Sequence, residues 1–550
     1  MKTLYYNGQV YTGRLPLTEA FVVENDRFLF AGSLDEAEKM AGADVRRTDL
    51  GGRFVCSGFH DSHMHLLNYG YTLGAAQLGG FESLEGMLRY LEQFVMQHSD
   101  GEGQWILGRG WNQDDYKDVS RMPDRHDLDR ISTEIPICIV RCCGHCLVAN
   151  SRALELAGIT GDTLQPEGGR IGTECARPHK DSSQQTGGSY LVPNGRLFDN
   201  AMNLIYRVMP VPSKDDLKRM ILTACKALNS YGITSCQTDD YCVFRQVPWQ
   251  LVNEAYRELE EAGELTVRIY EQCNFTSPDQ LREFVHAGRL TGTGSSMLRI
   301  GPLKMLGDGS LGSRTAFLSR SYADDPSTCG FPVFSQEVLE DMIAYAHAAG
   351  MQTATHAIGD ACLDQVLLAL EKALAAYPRK DHRHGVVHCQ ITRLEQLTKI
   401  RDLNLHVYAQ SIFLDYDSRI VEDRVGRELA ATSYNWKTLM EMGVSVSNGS
   451  DCPVEPPNVL AGIQCAVSRT YLPDQAFTVQ EALDSYTIKG AFASFEEQIK
   501  GQIRPGMLAD FVILDKNPFD VPACEIRDIS VCATYLGGRK VFSCNSSGDV

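Results

Sequence analysis

The sequence lacks any run of about 18 apolar residues, which is the length that a membrane-spanning helix needs. Its first residues, from Met1 to Gly8, also lack the apolar core of a secretory signal peptide. These two absences predict a protein that neither crosses a bilayer nor is exported. We therefore expect a cytoplasmic location.

The full pattern of a structural zinc site, which needs two spaced pairs of ligands, is also missing, although the chain contains 18 cysteines. They are scattered and often lie within apolar runs, as Cys236 and Cys389 do, which is typical of reduced and mostly buried thiols. Basic residues are few, since 52 Lys and Arg stand against 70 Asp and Glu, for a formal net charge of −18. Such a surface repels phosphate backbones and anionic lipids. We expect no nucleic-acid or membrane partner, and a small-molecule substrate instead.

The 550 residues do contain a series of short apolar segments, most of them separated by helix-like segments. Helix-start signals occur between them, such as Thr478 with Glu481 three residues later. Buried strands alternating with helices predict an α/β fold, a closed (β/α)8 TIM-like barrel. The eight candidate strands are 54–63, 233–238, 266–272, 298–304, 351–356, 385–388, 405–410 and 444–451.

The chain ends and one long connection predict further domains. Both ends carry short strand-like runs and turn signals such as Asn7-Gly8, which predict a small β-sandwich domain made of residues 1–57 and 498–550. The barrel would occupy residues 58–497. About 170 residues separate the first two candidate strands, whereas a βαβ unit needs roughly 30. We therefore predict an inserted subdomain at about 68–220, with a loop over its polar, Gly-rich stretch 161–195.

The sharpest local signal is a run that ends in a His-x-His pair: Gly58-Phe59-His60-Asp61-Ser62-His63-Met64-His65. Residues two apart on an extended strand point to the same face, so His63 and His65 can reach one metal ion together. An isolated pair of this kind is equally compatible with an exposed polar strand. Here it ends an apolar strand, where barrel enzymes place their sites. His60 falls on the other face, where it is predicted to pack in the core or to contact a metal ligand rather than the metal itself.

Four later candidate strands also end in polar side chains of the kinds found in metal sites. Each of these residues alone is explained most simply as a hydrogen-bonded polar residue of the core. A closed barrel, however, brings all its strand ends to one mouth. The sequence therefore predicts a metal site that comprises His63, His65, Lys304, His356, His388 and Asp451.

These motifs resemble those of the amidohydrolase superfamily, whose first-strand signature is similar to the run from Gly58 to His65. Over nearly its full length the chain resembles one branch, the N-substituted formamide deformylases and their uncharacterised metal-dependent hydrolase homologues. Residues 356–360, 449–454 and, in the insertion, 108–111 match that branch. The most specific segment is Lys304-Met305-Leu306-Gly307-Asp308-Gly309-Ser310-Leu311-Gly312-Ser313-Arg314-Thr315-Ala316.

The resemblance implies a metal-dependent hydrolase that cleaves carbon–nitrogen bonds other than peptide bonds through a metal-activated hydroxide. His63, His65 and Asp451 would hold one divalent ion and His356 with His388 a second. Lys304, carboxylated by carbon dioxide, would bridge them as a carbamate in a binuclear metal centre; an unmodified lysine beside a single ion is the alternative. Asp451 would also carry the proton to the leaving nitrogen. Zinc is the expected metal, although the same ligands suit manganese, iron or cobalt.

The resemblance also marks candidate substrate contacts, which packing explains equally well: Trp111, His145, Asp308 and Arg314. Asp199 stands where the branch usually has Glu, which weakens any transfer of the branch's substrates to this chain.

Three alternatives stay open: a deaminase, an ester or lactone hydrolase on the same barrel, and a non-catalytic regulatory barrel. Deaminases usually place a Glu just after the strand-five histidine, whereas His356 is followed by Ala-Ile-Gly-Asp. The number of subunits, including a homodimer, is left open by the sequence.

Overall fold

The structure is a computed structural model that describes residues 2–98, 105–141, 146–166, 169–176, 190–244 and 246–544. The chain divides into two compact units, one made of Met1–Tyr69 with Lys214–Val550 and the other of Gly70–Ser213. Within the described ranges, no helix has the length and apolar character that crossing a membrane requires.

Eight parallel strands form the barrel of the first unit, and each pairs with the next one along the chain. The loop after the last strand returns to the first, where the Asp451 amide donates to the His63 carbonyl at 2.8 Å. The Ser62 hydroxyl donates to the Asn448 carbonyl at 2.7 Å, which adds a second link. The predicted barrel is confirmed, with the strands β1 Phe59–Met64, β2 Ile233–Thr238, β3 Arg268–Asn274, β4 Leu298–Leu306, β5 Thr353–Ala357, β6 Gly385–His388, β7 His406–Ala409 and β8 Ser445–Asn448.

Helices cover the outside of the barrel and bury their apolar faces against its strands. The predicted start at Thr478 is present, since its hydroxyl accepts from the Glu481 amide in a capping box. The helices of this layer and its loops are Leu66–Leu73, Lys214–Ser230, Trp249–Glu261, Pro278–His286, Gln336–Ala348, Asp360–Ala376, Leu394–Asp402, Leu414–Asp417, Val421–Ala430, Trp436–Glu441, Val459–Val467 and Val479–Ser485.

One further helix, Ile488–Ala493, closes the amino-terminal end of the barrel from inside. Gln237 of β2 donates to the Gly490 carbonyl at 3.1 Å, and Gln352 donates to the Ala493 carbonyl at 3.0 Å. Tyr408 of β7 packs in one cluster with Ala493. The strand side chains that meet this helix therefore define the inner face of the barrel.

The two chain ends form a small β-sandwich. Its two sheets share one apolar core, in which Tyr5 and Phe21 of one sheet meet Phe511 and Tyr535 of the other. The four-stranded sheet contains Lys2–Tyr6, Ala20–Glu24, Arg27–Gly32 and Arg46–Asp49, and the helix Leu34–Ala41 packs on it. The five-stranded sheet contains Gln9–Val10, Phe54–Ser57, Phe511–Leu514, Val531–Leu536 and Arg539–Ser543.

The first candidate strand, 54–63, is two strands in the structure. Phe54–Ser57 pairs antiparallel with Phe511–Leu514 in the sandwich, and Phe59–Met64 is β1 of the barrel. The chain changes sheets at Gly58, where a side-chain Cβ would lie 2.2 Å from the Thr234 hydroxyl oxygen. A local apolar run does not reveal this change, because both halves are equally buried.

The second unit has its own core around a six-stranded mixed sheet. The stretch 161–195, predicted to be a loop, contributes two of its strands, which pair antiparallel with each other. The strands are Ala76–Gln77, Ile106–Trp111, Ile137–Arg141, Cys146–Ala149, Gly169–Ala176 and Tyr190–Asp199, and the helices are Leu84–His98, Arg125–Asp129, Ser151–Leu156 and Asn203–Tyr206.

Candidate metal centre

The carboxyl ends of the barrel strands bring three of the predicted ligands together. One side-chain ligand atom from each of His63, His388 and Asp451 lies within 4.8 Å of the other two. These residues come from the ends of β1 and β6 and from the loop after β8. All three are buried, so a cation bound there would be largely removed from water.

His63 has its ring orientation fixed by Gln272 of β3. The two side chains meet at 2.8 Å between His63 Nδ1 and the Gln272 oxygen. Because an amide oxygen only accepts, Nδ1 carries the proton and Nε2 keeps its lone pair. That Nε2 atom lies 3.2 Å from Asp451 Oδ1. Burial lowers the pKa of His63, which favours the neutral imidazole that binds metal ions.

His65 is held between two carboxylates. Its Nε2 lies 3.0 Å from Asp451 Oδ1, and its Nδ1 contacts Asp239, which directly follows β2. Burial alone lowers the pKa of His65, but Asp239 and Asp451 together raise it to about 10. The site without a cation therefore favours a protonated His65, and a bound cation would have to replace that proton.

Lys304 is fully buried at the centre of the site. Its Nζ lies 2.9 Å from Asp239 Oδ2 and 3.5 Å from His63 Nε2. The ion pair with Asp239 compensates a charge that would otherwise be costly in so enclosed a place. The carbamate on Lys304 stays a prediction.

The two remaining histidines lie side by side at the ends of β5 and β6. The ring centroids of His356 and His388 are 4.4 Å apart. His356 Nε2 lies 3.0 Å from the Gly309 carbonyl oxygen and 3.1 Å from Asp308 Oδ1. Among the described residues His388 Nδ1 has no hydrogen-bond partner, and burial holds the pKa of His388 well below its ordinary value. A neutral, unpaired imidazole nitrogen is a suitable metal ligand.

The backbone is strained at two of the ligands, with φ of +73° at His388 and +58° at Asp451. Residues with side chains adopt this region rarely, and such conformations persist where the surrounding structure enforces them. Beside Asp451, Gly449 packs so closely on β1 that a Cβ would lie 2.5 Å from the His63 nitrogen. Asp61 accepts from the amide and hydroxyl of Ser450, which anchors this loop.

The predicted substrate contacts lie in different places and stay predictions. Trp111 is buried in the core of the second unit, where its indole donates to the Ile139 carbonyl at 3.2 Å. His145 lies outside the described residues. Asp308 accepts from three backbone amides, those of Phe317, Ile358 and Gly359. Arg314 forms an ion pair with Asp324 at 2.7 Å. The last two residues therefore hold the loop that follows β4.

Sequence reasoning missed two residues of the site, Asp239 and Gln272. Asp239 carried a usable signal, since it is a carboxylate directly after a barrel strand, as Asp451 is. Gln272 carried none, because an amide within a strand is not a metal-ligand type. His60 packs against Gly490 of the closing helix, so it lies on the inner face and not on the opposite face that strand alternation predicted, because the register of β1 shifts where it pairs with β2.

The donor set fits a divalent cation. Buried imidazoles with lowered pKa values, at His63 and His388, offer lone pairs at neutral pH. Burial opposes ionisation of Asp451, yet the bond from the protonated His65 holds its pKa well below the ordinary range, so it stays anionic. Nitrogen and carboxylate ligands of this kind suit zinc and the neighbouring transition metals.

Comparisons with known proteins agree with this chemistry. Residues 47–542 match the model of a family described as amidohydrolase family. A putative amidohydrolase, YtcJ of Bacillus subtilis, is 30% identical over 98% of this chain and 99% of its own. An N-substituted formamide deformylase of Arthrobacter pascens is 25% identical over 97% and 96%. The crystal structure of an uncharacterized metal-dependent hydrolase from Pyrococcus furiosus is 29% identical with a TM-score of 0.77, covering 94% of this chain and 100% of that one.

Proposed function

Since the chain belongs to the amidohydrolase family and is thus a metal-dependent hydrolase, we propose that it cleaves a carbon–nitrogen, amide-type bond of a small organic substrate. The observation that carries the proposal is the convergence of His63, His388 and Asp451, from three separate strand ends, on one buried point. The relative from Arthrobacter pascens is named as an N-substituted formamide deformylase, which supports the choice of bond.

His63, His65, His356, His388 and Asp451 would hold one or two divalent ions, with zinc as the proposed metal, and a carboxylated Lys304 would lie between them. A bound divalent ion supplies a Lewis acid that polarises a carbonyl and acidifies water. Asp451 supplies the proton acceptor, because it is ionised and lies at the mouth beside His63 and His65. It would then deliver the proton to the leaving nitrogen.

A deaminase is the closest rival, and the loop after β5 argues against it. The acidic residue that follows His356 is Asp360, whose carboxylate accepts from the Ser319 amide at 2.9 Å and lies 3.2 Å from Arg393. Asp360 is fully buried at the start of its helix. A carboxylate engaged in this way is not available to shuttle protons to a substrate.

The test joins metal analysis with a substrate panel of formamides, N-acyl amines, lactams, cyclic imides and esters. The protein purified without chelator should carry up to two divalent ions per chain, and His63→Ala should lose at least one together with activity. His286→Ala, which changes an exposed histidine at the end of a barrel helix, is the matched control and should lose neither. Metal-free protein that still hydrolyses its substrate would contradict the proposal, as would activity confined to esters.

A further inference from the structure

We propose that Gln410 is a specificity-determining residue, whose carboxamide pairs with the N–H and C=O of a cyclic amide, a lactam or imide, in the substrate. This inference rests on the proposed function and narrows its substrate class. It starts from a buried side chain at the mouth of the barrel that the metal chemistry does not use.

The position of Gln410 follows from the alternation along β7. Tyr408 lies on the inner face, where its hydroxyl meets Gln352 at 3.2 Å and its ring packs with Ala493 of the closing helix. Gln410 comes two residues later and directly after the strand, so it lies on the same inner face at the carboxyl end. Its strand stands between β6, which ends in His388, and β8, which leads to Asp451.

The backbone around Gln410 is held by hydrogen bonds, whereas the polar atoms of its side chain are not. The Gln410 carbonyl accepts from the Phe413 amide at 3.0 Å, and the next amide, of Ser411, donates to Asn448 at 2.9 Å. The side chain is only 1% exposed, yet neither its nitrogen nor its oxygen has a hydrogen-bond partner among the described residues. Burying an amide without partners costs free energy, and none of the described residues offsets that cost, so a bound ligand would supply the missing bonds.

The surroundings of Gln410 suit a small, flat and partly apolar ligand. Phe413 lies parallel to the His388 ring, with 5.9 Å between centroids and 19° between planes. Phe413 also joins Ile412 and Ala461 in an apolar cluster on this side of the mouth. A ligand beside His388 would therefore meet an apolar wall together with the carboxamide of Gln410.

The carboxamide determines which chemical group would fit. It offers one N–H donor and one C=O acceptor on a single planar edge. An open-chain secondary amide points its own N–H and C=O in opposite directions and can meet only one of them. A ring holds the two on the same side, so a lactam or cyclic imide can make both bonds at once. Three rotatable bonds let the Gln410 amide turn towards such a group without moving the strand.

The first test measures stability and needs no substrate. Gln410→Met keeps the shape but removes both polar atoms, so the urea midpoint should stay unchanged or rise, because no bond is lost. Gln352→Met is the matched control: Gln352 is an equally buried glutamine of the inner face, but it bonds to Tyr270, Arg383 and Ala493. That control should lower the midpoint. An equal loss in both variants would show that Gln410 has a structural partner and would overturn the proposal.

The second test uses the metal-loaded protein, with δ-valerolactam and δ-valerolactone as competitive inhibitors of the best substrate in the panel. The lactone has the same ring but no N–H. Gln410→Met should weaken lactam binding about tenfold more than lactone binding, the effect of one lost hydrogen bond. Gln352→Met should leave the ratio of the two inhibition constants unchanged.

The outcomes separate the two proposals. Suppose that the parent protein is a metal-dependent amidohydrolase but Gln410→Met leaves the ratio of the lactam and lactone inhibition constants unchanged. The role proposed for Gln410 is then wrong, and the proposed function stands. The same conclusion follows if the parent binds the lactam no better than the lactone. If the metal-free parent is as active as the loaded one, the proposed function itself fails.

Discussion

Two histidines of the site each have a second residue that holds the ring by its Nδ1 atom. Gln272 does so for His63 and Asp239 for His65, and in both pairs Nδ1 is engaged while Nε2 faces the site. Outer partners of this kind raise metal affinity because they orient the ligand before the ion arrives. Asp239 has a second task, since it is also the counter-ion of the buried Lys304.

Asp239→Asn should lower metal affinity by about 10–100-fold, the usual effect of losing an outer partner. The amide keeps the size of the side chain but removes the negative charge from His65 and Lys304. Competition with a chelating dye measures the change. Asp484→Asn is the control, because Asp484 is a partly buried aspartate that bonds to Tyr11, away from the ligands. Equal metal affinity in the two variants would exclude this role for Asp239.

Asp451→Asn should reduce kcat by about 10²–10⁴-fold, the usual contribution of general acid–base catalysis. An amide keeps one oxygen for a metal but cannot accept a proton at neutral pH. Metal content measured on the same sample separates the two roles, and we expect most of it to remain. Turnover within a few-fold of the parent, with the metal still bound, would remove Asp451 from the proton pathway.

For single residues, the sequence predicts the candidate metal ligands better than the side chains that orient those ligands. His63, His388 and Asp451 could be found because strand ends of a barrel meet at one mouth, whatever the details of packing. Gln272 could not be found, because its role depends on which side chain stands opposite it across the barrel. Gln410 likewise differs from Gln352 only in its partners, and no pattern in the sequence contains that information.

Among the secondary-structure elements, a chain of histidines links the helix Gln336–Ala348 to the strands at the far end of the barrel. His347 Nδ1 and His384 Nε2 are 2.8 Å apart, and His347 Nε2 donates to the Tyr377 carbonyl. His382 Nδ1 accepts from the His384 amide, and its Nε2 donates to the Leu403 carbonyl. Every one of these bonds is satisfied by neutral rings, so an added proton would break at least one.

The histidine chain predicts a loss of stability in mild acid. Burial lowers the pKa of His382 to about 4 and holds that of His384 well below its ordinary value. The unfolded chain takes up protons near pH 6.5, so stability should be complete above that pH and should fall as the pH drops from 6.5 towards 4. Urea midpoints at half-unit steps measure the slope. His382→Gln should flatten it, and an unchanged slope would contradict the assignment.

The elements that the sequence predicts well are those with continuous apolar runs, such as β2 and β6. The stretch 161–195 was missed because it is polar and rich in glycine. Its strands Gly169–Ala176 and Tyr190–Asp199 are stabilised by pairing with each other and, for the latter, with Cys146–Ala149. Such pairing depends on partners distant in the chain, which local composition does not report.

For the molecule as a whole, one buried ion pair ties the barrel to the sandwich. Arg268 at the start of β3 makes two bonds with Asp510, at 2.6 and 2.9 Å, just before the strand Phe511–Leu514. Both side chains are almost completely buried, at 6% and 3% exposure. Breaking such a pair from one side leaves the other charge uncompensated.

Arg268→Met should therefore lower the free energy of unfolding by about 3–5 kcal/mol. Adding Asp510→Asn removes the uncompensated negative charge but keeps an oxygen that accepts from the Gly537 amide. The double variant should therefore regain part of the lost free energy of unfolding. Chemical denaturation of the parent and the two variants measures both steps. A double variant less stable than Arg268→Met would show that the carboxylate matters for reasons other than this pair.

The five-stranded sheet has a consequence for how the chain is made. Its middle strand, Phe511–Leu514, lies between Val531–Leu536 and Phe54–Ser57, and most of the chain separates it from the second of these neighbours. During synthesis the strand Phe54–Ser57 emerges long before its partner Phe511–Leu514, and its edge stays unpaired on that side until then. We expect the nascent protein to depend on chaperones that shield this edge, and its folding to be slow because the pairing is so distant in sequence.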